Sequence, residues 1–322
     1  MIFKRSDVMS DNPFKFSSDN KRYNTLNYYN KQNYNKKIYK AVIDLGLTCP
    51  NIDGSKGRGG CIFCDGGSGY FTHSKTDLVS QLRLEKNRIC SKYGESAELI
   101  AYFQASTNTY APVEFLRKVY YTALEFPNVS GISIGTRADC LSDEVIELLS
   151  ELRDKTHLTV ELGMQSCHEK TIKLINRCYS HEEFRKGFFR LKDAGIRTCI
   201  HIINGLPFES QEDMIVTAKE LAALHPEAVK LQMLHVIKGT ALEDMYLKGE
   251  FQLLDRDEYI DIIVHQLEVL PPDTVIERIT GDGDKKKLVA PMWSADKIAV
   301  LGGIDKRLAE LDTWQGKLYI SR

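Results

Sequence analysis

The 322-residue chain has no long uninterrupted run of apolar residues and no excess of charge of one sign. No apolar stretch reaches the roughly 18 residues of a membrane-spanning helix, and the chain begins without an apolar signal core. We therefore expect a cytoplasmic protein that does not contact a membrane. Since 43 Lys and Arg residues stand against 44 Asp and Glu residues, the net charge of −1 predicts no general attraction to nucleic acid. Such an affinity would require a local group of basic residues.

The chain also lacks a P-loop, a Rossmann-type glycine motif in the right context and a recognisable nucleophile–base triad. It does contain eight cysteines, and three of them are Cys49, Cys61 and Cys64. Thiols clustered in this way are better interpreted as metal ligands than as disulfide partners. The loop between Cys49 and Cys61 holds four glycines, so its backbone can fold closely around a bound group.

Three thiolates cannot complete a closed tetrahedral zinc site or a cluster with four cysteine ligands. They suit a cluster that keeps one iron open. The alternative is a zinc site that a histidine such as His73 completes. We expect the other five cysteines to be buried structural residues, with a redox or substrate role conceivable for Cys178 and Cys199.

The stretch from Cys49 to Cys64 reads Cys-Pro-Asn-x-Asp-Gly at its start and Gly-Gly-Cys-x-Phe-Cys at its end. It resembles the cluster-binding loop of radical S-adenosylmethionine (SAM) enzymes, including the aromatic Phe63 before the last cysteine. The eleven residues between Cys49 and Cys61 replace the usual three. This spacing is similar to that of the YhcC/YtqA-type branch, which is related to the Elongator catalytic subunit.

The resemblance implies that Cys49, Cys61 and Cys64 bind three irons of a [4Fe–4S] cluster and that SAM chelates the fourth. It further implies that an electron, supplied by a reductant such as flavodoxin or ferredoxin, cleaves SAM to a 5′-deoxyadenosyl radical. That radical would abstract hydrogen from a substrate carbon. No stable protein partner can be inferred.

The middle of the chain alternates short apolar runs with amphipathic segments, which predicts a parallel sheet with helical crossovers. The predicted strands are 41–45, 99–103, 131–135, 158–163, 198–203 and 228–234. Six such units form a partial (β/α)6 TIM-like barrel, the architecture that the resemblance also implies. We therefore divide the chain into an N-terminal segment (1–38), a barrel (39–239) and a C-terminal α+β extension (240–322) that caps the open side of the barrel.

Sites in parallel α/β folds gather at the C-terminal ends of the strands. The candidate cofactor-binding residues near these ends, together with Phe63 of the loop, are Gln104, Ser106, Thr136, Arg137, Glu161, Gln165, His201 and Gly205. Several have a plainer interpretation. Arg137 could pair with Asp139, His201 could be a hydrogen-bonded core residue, and Gly205 could serve only a tight turn. Lys230 or Gln232 could face the barrel interior near a substrate.

Residues 21–40 contain six Lys or Arg residues and five tyrosines but no acidic residue. This pattern suits a nucleic-acid backbone with bases that stack, and Lys21, Arg22, Lys36 and Lys37 are the candidate contacts. The alternative is a solvated helix whose tyrosines pack on the barrel. Together with the Elongator kinship, the segment favours tRNA as substrate, modified on the wobble uridine side chain. The rival hypotheses are a radical SAM enzyme for a protein or small metabolite, and a non-enzymatic redox-sensing partner protein.

Overall fold

A seven-stranded parallel sheet forms the centre of the protein. The computed structural model describes residues 12–34, 38–66, 76–281 and 286–321. Within them the strands are β1 (Ile38–Ile43), β2 (Glu98–Phe103), β3 (Val129–Thr136), β4 (His157–Gln165), β5 (Arg197–Asn204), β6 (Ala228–Met233), β7 (Val236–Ile237), β8 (Val275–Arg278) and β9 (Leu288–Ala290). The large sheet has the order β1-β2-β3-β4-β5-β6-β8, and all neighbouring pairs are parallel. Strands β7 and β9 form a small antiparallel pair.

Helices follow most strands, as the alternating pattern predicts. They are α1 (Leu26–Tyr34), α2 (Leu78–Tyr93), α3 (Val113–Leu124), α4 (Asp143–Lys155), α5 (Glu169–Leu174), α6 (His181–Asp193), α7 (Gln211–Leu224), α8 (Ala241–Leu247), α9 (Arg256–Val269) and α10 (Lys297–Glu310). Local chemistry fixes several of their starts. Ser142 accepts a hydrogen bond from the Val145 amide at the start of α4, and Ser180 and Ser210 form capping boxes at the starts of α6 and α7.

The sheet curls into a half-barrel. Lys40 of β1 and Glu277 of β8 belong to the two edge strands, yet Lys40 Nζ lies 2.8 Å from Glu277 Oε2. In a flat sheet seven strands, spaced about 4.8 Å apart, would hold these side chains far from each other. The ion pair therefore links the two edge strands across the concave side. The predicted α/β fold with a partial TIM-like barrel is confirmed.

The two faces of the sheet differ because successive side chains of a strand point to opposite sides. The convex face packs under the helices, and its central residues are fully buried apolar side chains: Ile132, Ile134, Val160, Leu162, Ile200, Ile202, Val229 and Leu231. The concave face instead carries polar side chains, namely Ser133, Glu161, His201 and Lys230. The apolar face forms the core, and the concave face provides polar groups that could take part in binding or catalysis.

The sheet has one strand more than the six predicted βα units. Residues 275–278, which belong to the predicted α+β extension, supply β8, which pairs with β6. The Tyr259 hydroxyl from α9 donates to the carbonyl of Ile279, 2.5 Å away, just after this strand. The C-terminal region is thus joined to the barrel through the sheet itself. The division of the chain at residue 239 stays a prediction.

The N-terminal segment packs at the N-terminal ends of the strands. Thr25 forms a bridge with Ile276 at the start of β8, and Tyr34 of α1 stacks edge-on against His157, the first residue of β4. The Tyr29 ring of α1 also lies over the guanidinium of Arg197, which begins β5. Within the described residues, no helix combines the length and the apolar character needed to cross a membrane.

Candidate cluster and cofactor site

The loop from Cys49 to Cys64 follows β1 at the C-terminal edge of the sheet, and its own backbone hydrogen bonds define its shape. The Cys49 carbonyl accepts from the amides of Ile52 (2.8 Å) and Asp53 (3.1 Å). The Cys64 amide donates to the Cys61 carbonyl at 2.9 Å, so the last two cysteines share one turn. We call residues 49–64 the cluster loop.

Asn51 and Asn176 clamp the cluster loop to the segment after α5. Asn51 is fully buried and donates from Nδ2 to the Asn176 carbonyl and to Cys61 Sγ, 3.6 Å away. Asn176 in turn donates from Nδ2 to the Gly60 carbonyl at 2.7 Å. Asn176 has a left-handed backbone (φ 54°), which asparagine tolerates better than most residues. This clamp fixes the loop and places a donor on the sulfur of Cys61.

Gly57 lies where a side chain would not fit. A Cβ at this position would collide with Asn51 Oδ1 and lie 2.5 Å from Cys178 Sγ. Because the loop packs so closely on its own asparagine, glycine is required here for space. The closeness of Cys178 follows from this packing, and its thiol interacts with Asn176, with Cys178 Sγ 3.1 Å from Asn176 Oδ1.

The three thiols lie close enough to influence one another's charge. Burial raises the pKa of Cys61 to about 12, and negative charge on Cys64 and Cys49 adds to this rise. Burial likewise raises the pKa of Cys64. Among the described residues, no three His, Cys, Asp or Glu side chains converge on a point that could hold a single metal ion. Thiols that bind different irons of one cluster need no such convergence, so the donor set fits a [4Fe–4S] cluster with three cysteine ligands.

Apolar side chains support the loop from the C-terminal region. Ile62 and Phe63 pack on a cluster of buried residues from several elements: Ile175, Leu206, Leu234, Val236, Leu242, Phe251 and Ala290. The Leu242 amide at the start of α8 donates to the Ile62 carbonyl at 2.9 Å, and Lys287 Nζ lies 3.0 Å from Asp65 Oδ2. Phe63 is thus half-buried in an apolar contact, and its predicted role toward a cofactor stays a prediction.

Arg137 forms an ion pair with Asp139, as the plainer interpretation of the sequence predicted. Its Nε and Nη2 bond to the two carboxylate oxygens of Asp139 at 2.9 and 3.0 Å, and Lys56 of the cluster loop reaches the same carboxylate at 2.7 Å. Burial would raise the pKa of Asp139, but Arg137 and Lys56 outweigh it and hold that pKa below its usual value. The Arg137 guanidinium lies 4.6 Å from the centroid of the Tyr179 ring. Arg137 therefore lies beside the cluster loop with its charge already balanced.

Gln104, Ser106 and Thr136 lie at the same edge as the cluster loop. The backbone amide of Gln104 donates to the Ile43 carbonyl at the end of β1 (3.3 Å), and Ser106 has a left-handed backbone (φ 62°). Asn108 anchors this turn by donating to the Gly135 carbonyl at 2.9 Å. The Thr136 hydroxyl is buried and hydrogen-bonded to Thr109 (2.6 Å), whereas Gln104 and Ser106 are partly exposed. Their contact with SAM stays a prediction.

Glu161 and His201 lie deeper in the barrel and contact each other. His201 Nε2 is 2.7 Å from Glu161 Oε2, and Lys40 Nζ is 2.6 Å from Glu161 Oε1. Lys230 also pairs with Glu161, and the Ser133 and Tyr102 hydroxyls donate to it at 2.7 Å. We call this set the barrel ion cluster. The carboxylate of Glu161 is therefore committed to protein partners.

Charge and burial set the protonation of this cluster. Burial opposes ionisation of Glu161, but Lys230 and Lys40 hold its pKa well below the usual value. Burial and the Lys230 charge lower the pKa of His201 to about 4, so its imidazole is neutral near pH 7. Burial would also raise the pKa of Glu277, but Lys40 and Arg197 lower it to about 2. Lys230 faces the barrel interior and pairs with Glu161, and Gln232, two residues further along β6, lies on the same face.

Gln165 is the last residue of β4, and Gly205 directly follows β5. Gln165 is partly exposed and has a left-handed backbone (φ 63°), with an irregular register toward β5. Gly205 has φ 84°, and a Cβ there would lie 3.2 Å from Leu254 Cδ1. The turn thus needs glycine for its backbone and for space, which is the plainer of its two interpretations.

The basic residues of the N-terminal segment lie at the other end of the strands. Lys21 pairs with Asp305, and Arg22 Nη1 lies 2.9 Å from Asp312 Oδ1. Lys36 and Lys37 fall outside the described residues, as does His73. The structure therefore brings Lys21 and Arg22 together with acidic side chains and away from the cluster loop, and their contact with nucleic acid stays a prediction.

Sequence reasoning missed four residues of the site. They are Asn51, Lys56, Asn176 and Arg177, which hold the cluster loop or lie beside it. The motif Cys-Pro-Asn could have identified Asn51, since a buried amide beside a metal ligand commonly orients that ligand. Nothing local marked Arg177.

Comparison with known proteins agrees with this geometry. Residues 54–221 match the family model of the radical SAM superfamily, and residues 226–310 match that of the radical SAM C-terminal domain. The chain is 45% identical to protein YtqA of Bacillus subtilis over 314 residues, which cover 97% of each chain. It is 32% identical to the tRNA uridine(34) acetyltransferase of Methanocaldococcus infernus over 154 residues, which cover 47% of this chain and 28% of that one.

Among solved structures, the chain resembles the archaeal Methanocaldococcus infernus Elp3 with an N-terminal deletion. The TM-score is 0.66 at 20% sequence identity, and the match covers 87% of this chain and 64% of that one. At this identity the likeness concerns the fold. The family match, the close relative and the three-cysteine loop agree, and the chain belongs to the radical SAM superfamily in its YtqA-type branch.

Proposed function

We propose that the protein is a radical SAM enzyme that modifies tRNA on the side chain of the wobble uridine. Its cofactors are those of its superfamily, a [4Fe–4S] cluster and SAM. When bound, they supply the 5′-deoxyadenosyl radical that removes hydrogen from an unactivated carbon. A small reductant protein such as flavodoxin or ferredoxin would supply the electron.

The observation that carries this proposal is the placement of Cys49, Cys61 and Cys64. The three thiols lie on a loop at the C-terminal edge of a half-barrel, where parallel α/β enzymes build their sites. Asn51 and Asn176 hold this loop in one shape, and the Asn51 amide donates to Cys61 Sγ. A hydrogen bond to a ligand sulfur tunes the potential of a cluster.

Residues near the cluster loop and inside the barrel would orient the cofactor and the substrate and exclude water. Gln104, Ser106 and Gln165, partly exposed at the same edge, would orient the polar groups of SAM. His201 is neutral near pH 7, and its Nε2 is directed to Glu161. Its other ring nitrogen can therefore accept a hydrogen bond from a cofactor or substrate inside the barrel. The apolar contacts of Ile62 and Phe63 exclude water from one side of the loop.

The support for tRNA as substrate comes from the relatives. One of them, matched over about half of this chain, is a tRNA uridine(34) acetyltransferase. The position of the N-terminal segment argues against part of this hypothesis, because Lys21 and Arg22 are paired and lie at the end of the strands remote from Cys49. If tRNA binds, we expect its modified nucleotide to approach the cluster loop instead, where Arg58, Lys170 and Lys173 are exposed.

A second candidate is a radical SAM enzyme for a small metabolite or protein. The paired state of Lys21 and Arg22 favours it, because the basic N-terminal segment then has a structural role. A purely redox-sensing protein is the third candidate. It would carry a cluster but form no 5′-deoxyadenosine.

The first experiment measures iron, sulfide and 5′-deoxyadenosine in anaerobically reconstituted protein. We expect each of Cys49→Ala, Cys61→Ala and Cys64→Ala to lose the cluster and the nucleoside product. Cys178→Ala is the matched control, since its thiol lies beside the same loop and should not be needed. Zinc in place of iron, or an intact cluster in all three variants, would refute the proposal.

The second experiment tests the substrate. Mass spectrometry of tRNA nucleosides from cells that lack the gene should show an altered wobble uridine, and an unaltered profile would favour the metabolite or protein candidate. Binding of tRNA should weaken steeply with salt. The double variant Lys170→Glu/Lys173→Glu should weaken binding more than Lys36→Glu/Lys37→Glu if the cluster edge is the contact surface.

A further inference from the structure

The barrel ion cluster extends to a second carboxylate and holds an excess of positive charge. Glu161 pairs with Lys40 and Lys230, and Glu277 pairs with Lys40 and Arg197. Three cations against two carboxylates leave one positive charge, since the histidine of the cluster is neutral near pH 7. A buried charge is normally paired, because moving it out of water without a counter-charge is unfavourable. These side chains therefore favour the addition of one anion.

Lys40 is the cation of this set that a ligand can reach. Its Nζ donates to Glu161 Oε1 at 2.6 Å and to Glu277 Oε2 at 2.8 Å. An ammonium group has three hydrogens, and in the described part of the chain the third has no acceptor. The side chain of Lys40 is 25% exposed, compared with 4% for Lys230 and 18% for Arg197.

The concave face is open between the barrel ion cluster and the cluster loop. The concave positions nearer the C-terminal ends of the strands are partly exposed, namely Gly135, Gly163, Ile203 and Gln232. Two of them are glycines, so the wall of the barrel recedes there.

The distance between the barrel ion cluster and the cluster loop is short. Ile203 packs on the same buried apolar residues as Phe63 of the cluster loop. His201 lies two residues before Ile203 on the same face of β5, and two residues of a strand span about 7 Å. A small chemical group therefore suffices to fill the space between the two.

The charge in this space suits a carboxylate. A carboxylate carries one negative charge, which matches the excess of one, whereas a phosphate monoester carries more. A hydrogen bond between an ammonium and a carboxylate is about twice as strong as one between neutral groups. Gln232, on the same face of β6 as Lys230, adds an amide donor to this part of the wall.

We propose that Lys40 determines substrate specificity by pairing with a carboxylate of the substrate inside the barrel, beneath the cluster loop. This inference rests on the proposed function and deepens it, because it names the class of group that the site accepts. The carboxylate belongs either to the side chain of a wobble uridine or to a small free acid.

The test compares ligands that differ only in charge. The protein is reconstituted with its cluster and SAM but without a reductant, so that no turnover occurs, and binding is measured by titration calorimetry. One probe pair is an anticodon stem–loop RNA whose wobble uridine carries a carboxymethyl group or the corresponding amide. The other pair is N-acetylglycine and its amide. In at least one pair, wild type should bind the acid about tenfold more tightly, the value of one hydrogen bond to a charged group.

Variants then assign this preference to a residue. Lys40→Met should bind acid and amide equally, and Lys40→Arg should keep most of the preference. Glu277→Gln should increase the preference severalfold, because it leaves Lys40 with one carboxylate partner instead of two. A purely structural role for Lys40 predicts instead that Lys40→Met and Glu277→Gln both weaken binding. Lys192→Met is the matched control, since this lysine of α6 donates to the Leu224 and His225 carbonyls, and its preference should equal that of wild type.

Equal binding of acid and amide to wild type in both probe pairs would overturn the proposal. So would a preference that survives in Lys40→Met or one that falls in Glu277→Gln. If thermal unfolding shows that Lys40→Met does not fold, Lys40→Arg and Glu277→Gln decide the result. Failure of the proposed function is a separate observation, since it would appear as wild-type protein without iron and sulfide. A preference confined to N-acetylglycine would remove tRNA as the substrate and keep the role of Lys40.

Discussion

Lys56 Nζ lies 2.7 Å from Asp139 Oδ2, and this ion pair joins the cluster loop to the residues that follow β3. The two partners differ in burial, since the Lys56 side chain is 38% exposed and that of Asp139 only 3%. Asp139 also holds the buried guanidinium of Arg137. The carboxylate is therefore the central group of the arrangement, and the lysine is its outer partner.

We predict that Asp139→Asn destabilises the protein far more than Lys56→Met. Loss of the carboxylate leaves Arg137 buried without its partner, which costs about 3–5 kcal/mol in the free energy of unfolding. Loss of a half-exposed lysine costs at most about 1 kcal/mol. Urea unfolding of both variants measures the difference. Equal effects would mean that Arg137 does not depend on Asp139.

The barrel ion cluster predicts how stability changes with pH. The pKa of His201 is lowered to about 4 by burial and by Lys230, whereas a histidine in the unfolded chain titrates near 6.5. Between these values the unfolded state binds a proton that the folded state does not bind. The free energy of unfolding therefore falls as the pH is lowered from about 6.5 to about 4, by at most about 1.4 kcal/mol per pH unit for each such group.

Urea unfolding of wild type, His201→Asn and His235→Asn at pH 7, 6 and 5 tests this prediction. Burial lowers the pKa of His235 to about 4 as well, so each variant should remove part of the slope. The free energy of unfolding should fall further between about pH 4.5 and pH 2, since the pKa of Glu277 lies at about 2, below its usual 4.5. A slope that is the same in all three proteins would contradict the assignment.

Local patterns in the sequence were enough to predict the cysteine ligands and the parallel strands. The signal for Cys49, Cys61 and Cys64 is their spacing, and the signal for the strands is an apolar run bounded by turn residues. The same reasoning placed Glu161 among the candidate site residues, and a carboxylate in an otherwise apolar strand needs a polar environment. It could not identify that environment, because Lys40 and Lys230 come from strands that meet only when the sheet curls.

Other features had two possible physical origins that the sequence did not separate. Tyrosines and lysines in alternation suit both a nucleic-acid surface and a helix that packs on its own domain. The contact of Tyr34 with His157 supports the second for α1. Arg177 lacked any local signal, since its hydrogen-bond partners are backbone carbonyls that the fold brings to it.

The lack of space at Gly57 gives a prediction about cluster assembly. Gly57→Ala should push the new methyl group into Asn51 Oδ1 and Cys178 Sγ, which displaces the amide that donates to Cys61 Sγ. We expect a severalfold loss of iron and sulfide per chain after reconstitution. Gly302→Ala is the control, because no atom lies within 4 Å of a Cβ there and alanine favours its helix by about 1 kcal/mol. Equal iron content in both variants would refute the steric argument.

Two variants of Tyr179 can distinguish the stability that its hydrogen bond contributes from the stability that its aromatic ring contributes. Its hydroxyl donates to the Gly163 carbonyl at 2.7 Å, and its ring centroid lies 4.6 Å from the Arg137 guanidinium and 4.3 Å from that of Arg177. Tyr179→Phe keeps both stacked contacts and should lose only about 1 kcal/mol in the free energy of unfolding. Tyr179→Leu removes both cation–π contacts, each worth about 2 kcal/mol when desolvated, and it also leaves a cavity.

We therefore expect Tyr179→Leu to lose at least about 4 kcal/mol, measured by urea unfolding under the same conditions. If the phenylalanine variant were as unstable as the leucine variant, the hydrogen bond to Gly163 would be the dominant contact of this side chain. The stack would then contribute little, and Arg137 would depend on Asp139 and Arg177 on its backbone carbonyl partners. The ratio of the two losses thus shows how much of the stability that Tyr179 provides comes from its hydrogen bond and how much from its contacts with the two arginines.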